Sequence, residues 1–384
     1  MAIAVERFGL HDAPALVRRL SPRWYHPFNM RALLRGFSIA GLLALTLGAT
    51  VTSGPPGGTI AGFEGNGGWL NSAPLSPADL HGKVVLVDFW EYTCVNCLRT
   101  LPYLHTWYDR YRNDGFVIVG VHTNEFGFSG DRGNIEAADA HLGVNWPVVI
   151  DPNHEIWSRY HNDGWPHEYL FDQNGQLVDS VRGEGEYPNT ERKIQGLLRA
   201  LNPQLALPPV MALLPQDSYD KPGAVCYLQT PEVLVDHSHI ANASAFGDPS
   251  EDTPYVDKAP VHKDGLVYLQ GLWHLTQQSA VEESLRGYAA IRYHAIQVVS
   301  VLAPSDQKNV RIDVTQDGAP VAKADAGADL HYDAAGKSYL TVDAARAYDI
   351  IMNAKFDQHE LRLVPQGYGV GVYSFAFESC EIPK

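Results

Sequence analysis

The stretch Val84-Val-Leu-Val-Asp-Phe-Trp-Glu-Tyr-Thr-Cys-Val-Asn-Cys97 constrains this chain more than any other. Val84 to Phe89 is almost unbroken apolar sequence with one acid, Asp88, and reads as a buried strand. An aromatic turn follows, then two cysteines at i and i+3. From Leu98 to Tyr111 the pattern is helical, with Leu98, Leu101, Leu104 and Trp107/Tyr108 on one face. Cys94 is therefore expected at the N-cap or first position of a helix, with Cys97 one turn in. Unpaired N–H groups and the helix dipole stabilise a thiolate there, so Cys94 reads as the nucleophile. Cys97, a turn away, reads as the thiol that resolves a mixed disulfide. Pro102 falls inside the helix and should kink it.

A Cys-x-x-Cys pair also occurs as half of a zinc site. Zinc normally takes four ligands, commonly with a second Cys or His pair. Cys226 and Cys380 are isolated and distant, and His105 and His122 are not at paired-ligand spacing. Neither a metal nor any other cofactor is expected.

Downstream, Gly115-Phe-Val-Ile-Val-Gly-Val-His122 and Trp146-Pro-Val-Val-Ile-Asp151 read as further strands. Gly164-Trp-Pro-His-Glu-Tyr-Leu-Phe-Asp-Gln-Asn-Gly175 reads as a turn, a strand and a hairpin at Asn174-Gly175. Strand, Cys-x-x-Cys and proline-containing helix together resemble a thioredoxin-fold oxidoreductase. That resemblance implies that Pro166 is a cis-proline facing the active-site disulfide; an ordinary trans loop proline is the alternative. It also implies that Asp88 is a buried acid that exchanges a proton with the second cysteine, its pKa raised by burial. A cap at the sheet edge is the alternative for Asp88. Trp90 matches the aromatic residue beside the active site, and Trp165 and Glu125 are placed in the substrate groove, with simple packing the alternative for Glu125. Val95-Asn96 stands where thioredoxins usually carry Gly-Pro, which leaves the redox potential open.

The chain has 384 residues, enough for two domains and a leader, and its net charge of −15 with no basic run beyond the leader argues against nucleic acid as a partner. Phe37 to Val51 is uncharged and mostly apolar, preceded by Arg31 and Arg35. It reads as a signal peptide or signal anchor within residues 1–51, short for a spanning helix of ~20 residues. The stretch before Met30 is long for a leader, so translation is expected to start at Met30. The bulk of the chain is then expected in the periplasm or on the extracellular side of the membrane, secreted or held by an uncleaved anchor.

Residues 52–202 are assigned to the thioredoxin-like domain. Its first 31 residues, 52–82, are read as a lead-in hairpin, and a helix is expected at Gly133 to Leu142. Residues 203–222 are proline-rich and read as a linker, with Pro203, Pro208, Pro209, Pro215 and Pro222. From 223 to 384 short strand-like runs recur between turns, among them Ala290–His294, Ile296–Leu302, Val310–Val314, Tyr348–Ile351, His359–Leu363 and Tyr373–Phe377, with a hairpin turn at Gln316-Asp-Gly318. This predicts an all-β sandwich of jelly-roll type. Cys226 and Cys380 lie near its two ends, where a structural disulfide or two buried thiols are the alternatives. His237, His239, His262 and His274 have no ligand spacing and read as packed or solvated.

Trp90-Glu-Tyr-Thr-Cys-Val-Asn-Cys-Leu-Arg-Thr-Leu-Pro-Tyr103 resembles the redox motif of DipZ proteins, in which an extracytoplasmic thioredoxin-like domain precedes a carbohydrate-binding-module-like sandwich. Gly271-Leu-Trp273 and the terminal Tyr-Ser-Phe-Ala-Phe resemble that second domain more loosely. The resemblance implies disulfide-containing protein substrates, and a carbohydrate ligand for the sandwich. Trp273, Tyr288 and Tyr293 are rings able to stack on sugar, but they fall within strand-like runs, so core packing is the favoured reading. DipZ proteins also carry a multi-helix membrane domain that delivers electrons. None is read here, so a separate membrane donor of the CcdA or DsbD type is expected. Two other functions are weighed against a thiol-disulfide oxidoreductase that reduces its targets. A thiol peroxidase would place Thr three residues before its reactive Cys, where Glu91 stands. A non-enzymatic carbohydrate- or partner-binding protein would use the redox domain only as a scaffold.

Overall fold

The computed structural model describes residues 54–381 except 66, 215–216, 218–223, 237, 243–250, 286 and 305–308. The expected leader, the Met30 start, Pro215, Pro222 and His237 lie outside the described residues. No helix among the described residues is long and apolar enough to cross a membrane.

The first domain runs β1 (Trp69–Leu70), β2 (Val84–Trp90), α1 (Val95–Tyr111), β3 (Phe116–His122), α2 (Arg132–Leu142), β4 (Val148–Ile150), α3 (Glu155–Arg159), β5 (His167–Phe171), β6 (Leu177–Arg182) and α4 (Tyr187–Leu201). The sheet order is β1-β4-β3-β2-β5-β6, with β2, β3 and β4 parallel and β5 antiparallel to β2. Strand β2 lies in the middle, which is why every residue from Val84 to Trp90 is buried. Its side chains alternate between two cores. Leu86 and Trp90 enter the one formed with Leu101, Trp107, Ile194 and Leu198 of α1 and α4. Val85, Val87 and Phe89 enter the other, with Val119, Val121 and Tyr160. Asp88 shares the face of Leu86 and Trp90 and so points toward α1.

The structure departs from the sequence reading in two places here. The described residues of 52–82 form no hairpin: Trp69–Leu70 is an edge strand paired with β4, and Thr59 bridges to Gln176. The 203–222 segment is held against the first domain along its described part. Leu205, Leu207, Met211, Leu213 and Leu214 pack on the α1/α4 core. Buried Gln195 donates to the Pro208 carbonyl at 2.8 Å, and the Met211 N–H donates to buried Glu191 at 2.6 Å.

The second domain is all β: β7 (Val225–Cys226), β8 (Val233–Leu234), β9 (Thr253–Tyr255), β10 (Val267–Leu275), β11 (Ala280–Glu282), β12 (Tyr288–Pro304), β13 (Val310–Gln316), β14 (Ala319–Pro320), β15 (His331–Tyr332), β16 (Ser338–Val342), β17 (Arg346–Pro365), β18 (Val370–Glu378) and β19 (Cys380–Glu381). Four of the expected short strands are halves of two long ones. The first half of β12 pairs with β10, and the second half with β18. Strand β17 follows β12 throughout, with register shifts after Ala295 and after Val298. Those irregularities let one strand turn from one sheet of the sandwich into the other. At the tip between β13 and β14, Asp317 and Gly318 both have positive φ, 52° and 77°, the geometry of a two-residue hairpin turn. Trp273 and Tyr293 are fully buried in the sandwich core. They present no face to a sugar, as the core-packing reading expects. Tyr288 lies under the Arg362 guanidinium and donates to Asp257 at 2.8 Å. His239, His262 and His274 pair with Asp236, Asp257 and Asp252.

The two domains meet at α1. Phe126, Val299, Val301 and Ala347 form a buried cluster against Val95, Leu98, Phe128 and Tyr373. Tyr373 sits edge-on to Phe126 at 5.3 Å and to Phe128 at 4.7 Å. Arg99 bridges Glu184 of the first domain and Glu378 of the second.

Cys226 and Cys380 face each other on β7 and β19 and are disulfide-bonded, closing a sequence separation of 154 residues. Closing so long a loop removes chain entropy from the unfolded state, worth about 2–5 kcal/mol. The Cys226→Ser/Cys380→Ser double variant is expected to lose about that much stability in urea unfolding. The Cys94 and Cys97 thiols should remain titratable in the folded protein.

Candidate active site

The site is built where β2 ends and α1 begins. Cys94 is the N-cap of α1, half-buried, with extended backbone (φ −70°, ψ 109°), and the Cys97 N–H donates to its Sγ at 3.3 Å. A sulfur in that place takes up a donor the helix start leaves unpaired. Cys97 is 1% exposed. Burial pushes its thiol well above the ordinary value, and the neighbouring Cys94 and Asp88 add to the shift. Both cysteines are free thiols in the structure.

Asp88 is 1% exposed, and burial pushes its carboxyl up to about 7. Its Oδ1 has no hydrogen-bond partner. Directly opposite on β5 stands Glu168, buried at 4% exposure and pushed well above the ordinary carboxylate range by burial first and then by Asp88 and Asp179. Two carboxyls paired across a dry sheet cannot both ionise cheaply, so the pair retains a proton near neutrality. Glu168 was not singled out from the sequence. The available signal was a lone acid inside an apolar strand, the same signal that marked Asp88.

The Trp165–Pro166 peptide is cis. Asp88 pairs with Glu168 and Phe89 with His167. Continuing that register sets Pro166 beside Trp90, where the chain turns toward Cys94. Trp165 is half-buried, against Trp157 at 4.5 Å, and packs with Cys94 on the α1-side core.

Of the other residues expected in the substrate groove, Trp90 lies inside the core. Trp90 is 1% exposed, its indole edge-on to His122 at 5.3 Å, because it ends a strand whose face belongs to the core. It has no surface to offer a substrate. Glu125 lies at the domain junction, pushed up to about 8 by burial and by the charges of Glu232 and Glu91.

Glu91 is a second residue that sequence reading did not place in the site. It is fully buried. Its Oε2 accepts the Thr93 N–H at 2.6 Å, the Thr93 hydroxyl, and the Cys94 N–H at 3.1 Å. Its Oε1 lies 3.9 Å from His122 Nε2. Burial pushes Glu91 up to about 7 and His122 down to about 3.

The AhpC/TSA family model matches residues 57–180, and the model of the thioredoxin like C-terminal domain matches residues 230–377. Protein DipZ of Mycobacterium tuberculosis (strain CDC 1551 / Oshkosh) is 33% identical over 266 residues, covering 68% of this chain and 37% of DipZ. The matched stretch is longer than either domain, so the likeness runs through both, while the chain spans little more than a third of the length of the DipZ proteins. The thiol-disulfide oxidoreductase ResA of Bacillus anthracis is 27% identical over 134 residues, 35% of this chain and 72% of ResA. A solved thioredoxin-like protein in its oxidized form is 26% identical and covers 37% of this chain and 95% of its own, with a TM-score of 0.35. The chain is a DipZ-like thioredoxin protein: an α/β thioredoxin-like fold followed by an all-β sandwich.

The pKa of Asp88 makes a stability prediction. An acid raised from the usual 3.8 to about 7 by burial carries no penalty below pH 3.8, and a growing one as pH rises toward 7. Asp88→Asn is therefore expected to stabilise the protein at pH 8 by up to about 4 kcal/mol and to be neutral near pH 3.5. Urea unfolding at both pH values measures the difference.

Proposed function

We propose that this chain is an extracytoplasmic thiol-disulfide oxidoreductase that reduces disulfides in protein substrates. The observation that carries the reading is the dithiol at the start of α1: a half-buried Cys94 at the N-cap, a buried Cys97 donating its N–H to it, and buried Asp88 among the groups acting on Cys97. The likeness to DipZ through both domains and to ResA over the first supports it.

The steps follow from the environments. Cys94, the accessible sulfur, attacks one sulfur of the substrate disulfide as a thiolate, forms a mixed disulfide and releases the first substrate thiolate, which takes a proton from water. Cys97 is held as a thiol by its burial. Asp88 carries a carboxyl near 7, so its ionised form is available to take the Cys97 proton. The Cys97 thiolate then attacks Cys94 Sγ, closes the Cys94–Cys97 disulfide and expels the second substrate thiolate, which recovers the proton. Two electrons pass from the dithiol to the substrate. A membrane carrier of the CcdA or DsbD type resets the enzyme with two electrons. Pro166, immediately before β5, and Trp165 form the wall along which a substrate segment lies. The Arg-flanked apolar leader and the Cys226–Cys380 bond both fit an oxidising compartment.

The AhpC/TSA match favours a second reading, a thiol peroxidase. Against it, a buried carboxylate, Glu91, occupies the position where that chemistry places Thr.

Cys94→Ser is expected to abolish reduction of insulin disulfides, and Cys97→Ser to accumulate mixed disulfides with substrate. A glutathione-linked titration of the dithiol should give a potential near that of thioredoxin, about −270 mV, rather than the roughly −120 mV of a disulfide donor. Peroxide consumption at a rate matching insulin reduction would replace this reading by the second.

A further inference from the structure

We propose that the cleft between the two domains binds the substrate polypeptide, and that it takes an extended segment with large apolar side chains flanking the cystine to be reduced. The assignment rests on the reading of Cys94 and Cys97 as a reductant of protein disulfides, and it names the kind of segment that reductant takes.

The cleft has a volume of about 780 Å³. That falls within the roughly 300–1,000 Å³ of ligand sites, which favour the junctions between domains. Both domains build it. From the first come Tyr92, Leu98, Phe128 and the Ala137–Ala138 stretch of α2. From the second come Tyr373 and residues 343–347, where the chain enters β17. Tyr92 stands two residues before Cys94, and Leu98 directly follows Cys97. The cleft is therefore continuous with the turn and the helix that carry the dithiol. Chain on either side of a disulfide attacked by Cys94 has to run over that surface.

The walls set the occupant. Three rings line one part, with Phe128 edge-on to Tyr373 at 4.7 Å and to Tyr92 at 6.5 Å. Six of the lining residues are alanine, so the walls leave the space open to bulky side chains from a ligand. Arg346 is the one Lys or Arg among the described residues lining the cleft. It is bound to Asp329 at 2.9 Å, with Asp343 at 3.7 Å. An acidic segment would meet more carboxylates than cations here, and an uncharged apolar one meets rings and methyl groups. Tyr92 is 3% exposed, and its hydroxyl has no hydrogen-bond partner among the described residues. A polypeptide brings backbone carbonyls able to accept from such a hydroxyl, which a hydrocarbon ligand does not.

The test is binding of a fluorescein-labelled nonapeptide, with Leu and Phe flanking a central serine in place of cysteine, read by fluorescence anisotropy on the reduced full-length protein. Saturable binding is expected, and a control peptide with Ser at the flanking positions should not bind. Ala137→Trp fills the cleft from an exposed position on α2, and Ala345→Trp from the half-buried turn before β17. Each should weaken binding by about ten-fold or more with an unchanged circular dichroism spectrum, because an indole takes the space the peptide needs. With the cystine form of the same peptide as substrate, each should raise KM with little change in kcat, and lower kcat/KM far more than it does for oxidised glutathione. Equal binding of the two peptides overturns the proposal. So does wild-type affinity in both tryptophan variants, or displacement of the peptide by maltohexaose, which would give the cleft to sugar. Binding is read without turnover: a peptide held in the cleft by a protein that reduces no disulfide supports the cleft and sinks the reductase reading, whereas reduction that ignores the cleft sinks this inference alone.

Discussion

A carboxylic acid in the middle of a dry sheet is the constraint around which this molecule is arranged. Asp88 sits in a strand whose every residue is buried, on the face that looks toward α1. Hydrophobic burial of Val84, Leu86, Trp90 and their neighbours fixes that strand, and the acid is carried inside at a cost the core must offset. Opposite it the fold places a second acid, Glu168, rather than a lysine or arginine. Without a cation, the pair must keep a proton near neutrality. The carboxyl of the pair that ionises is then the group that can take the proton a buried resolving thiol must lose out of reach of water.

The second domain is tied to the same helix. Val95, between the two cysteines, and Leu98, just after them, pack with Phe126 and Phe128 against Tyr373, Val299 and Val301 of the sandwich. Arg99 extends the junction by bridging Glu184 and Glu378. A helix whose first turn is held on one side by its own sheet and on the other by a second domain has little freedom to shift when Cys94 changes bonding partner. The packed 203–214 segment has the same effect at the far end of α1. Arg110 there joins Glu191 at 2.8 Å and the Pro209 carbonyl at 3.1 Å.

What was legible in the sequence follows the range of the interactions concerned. Strand β2, helix α1 and the hairpin after β5 are specified by local periodicity and turn chemistry, and they lie within a residue or a few of where the pattern puts them. The two long strands of the sandwich were read as four short ones because Ala295 to Val298 breaks the alternation. The break is a bulge, not a turn, and only pairing with β17 and β18 distinguishes the two. The proline-rich segment reads as a linker from composition, yet its leucines find the α1/α4 core, a long-range contact that local sequence does not encode. Glu91 stood in plain view inside the motif. Its hydrogen bonds to Thr93 and Cys94 depend on the tightness of a turn that residue type alone does not reveal.

The electrostatics around the dithiol bear on the direction of electron flow. A dithiol becomes a strong oxidant when its surroundings stabilise the reduced, thiolate form, and a reductant when they do not. Helix α1 offers Cys94 its N-terminal dipole, which alone would favour the thiolate. Against it stand Asp88, whose charge acts on Cys97, and Glu168, paired with Asp88 across the sheet. The cation on the same helix, Arg99, is engaged with Glu184 and Glu378. Each carboxylate that ionises raises the free energy of a neighbouring thiolate and leaves the disulfide, which carries no charge, untouched. The balance moves toward the oxidised dithiol, which is the same as making the reduced protein a better donor of electrons. On the reductase reading proposed above, Asp88 and Glu168 supply a physical reason for the direction that Val95-Asn96 between the cysteines leaves open.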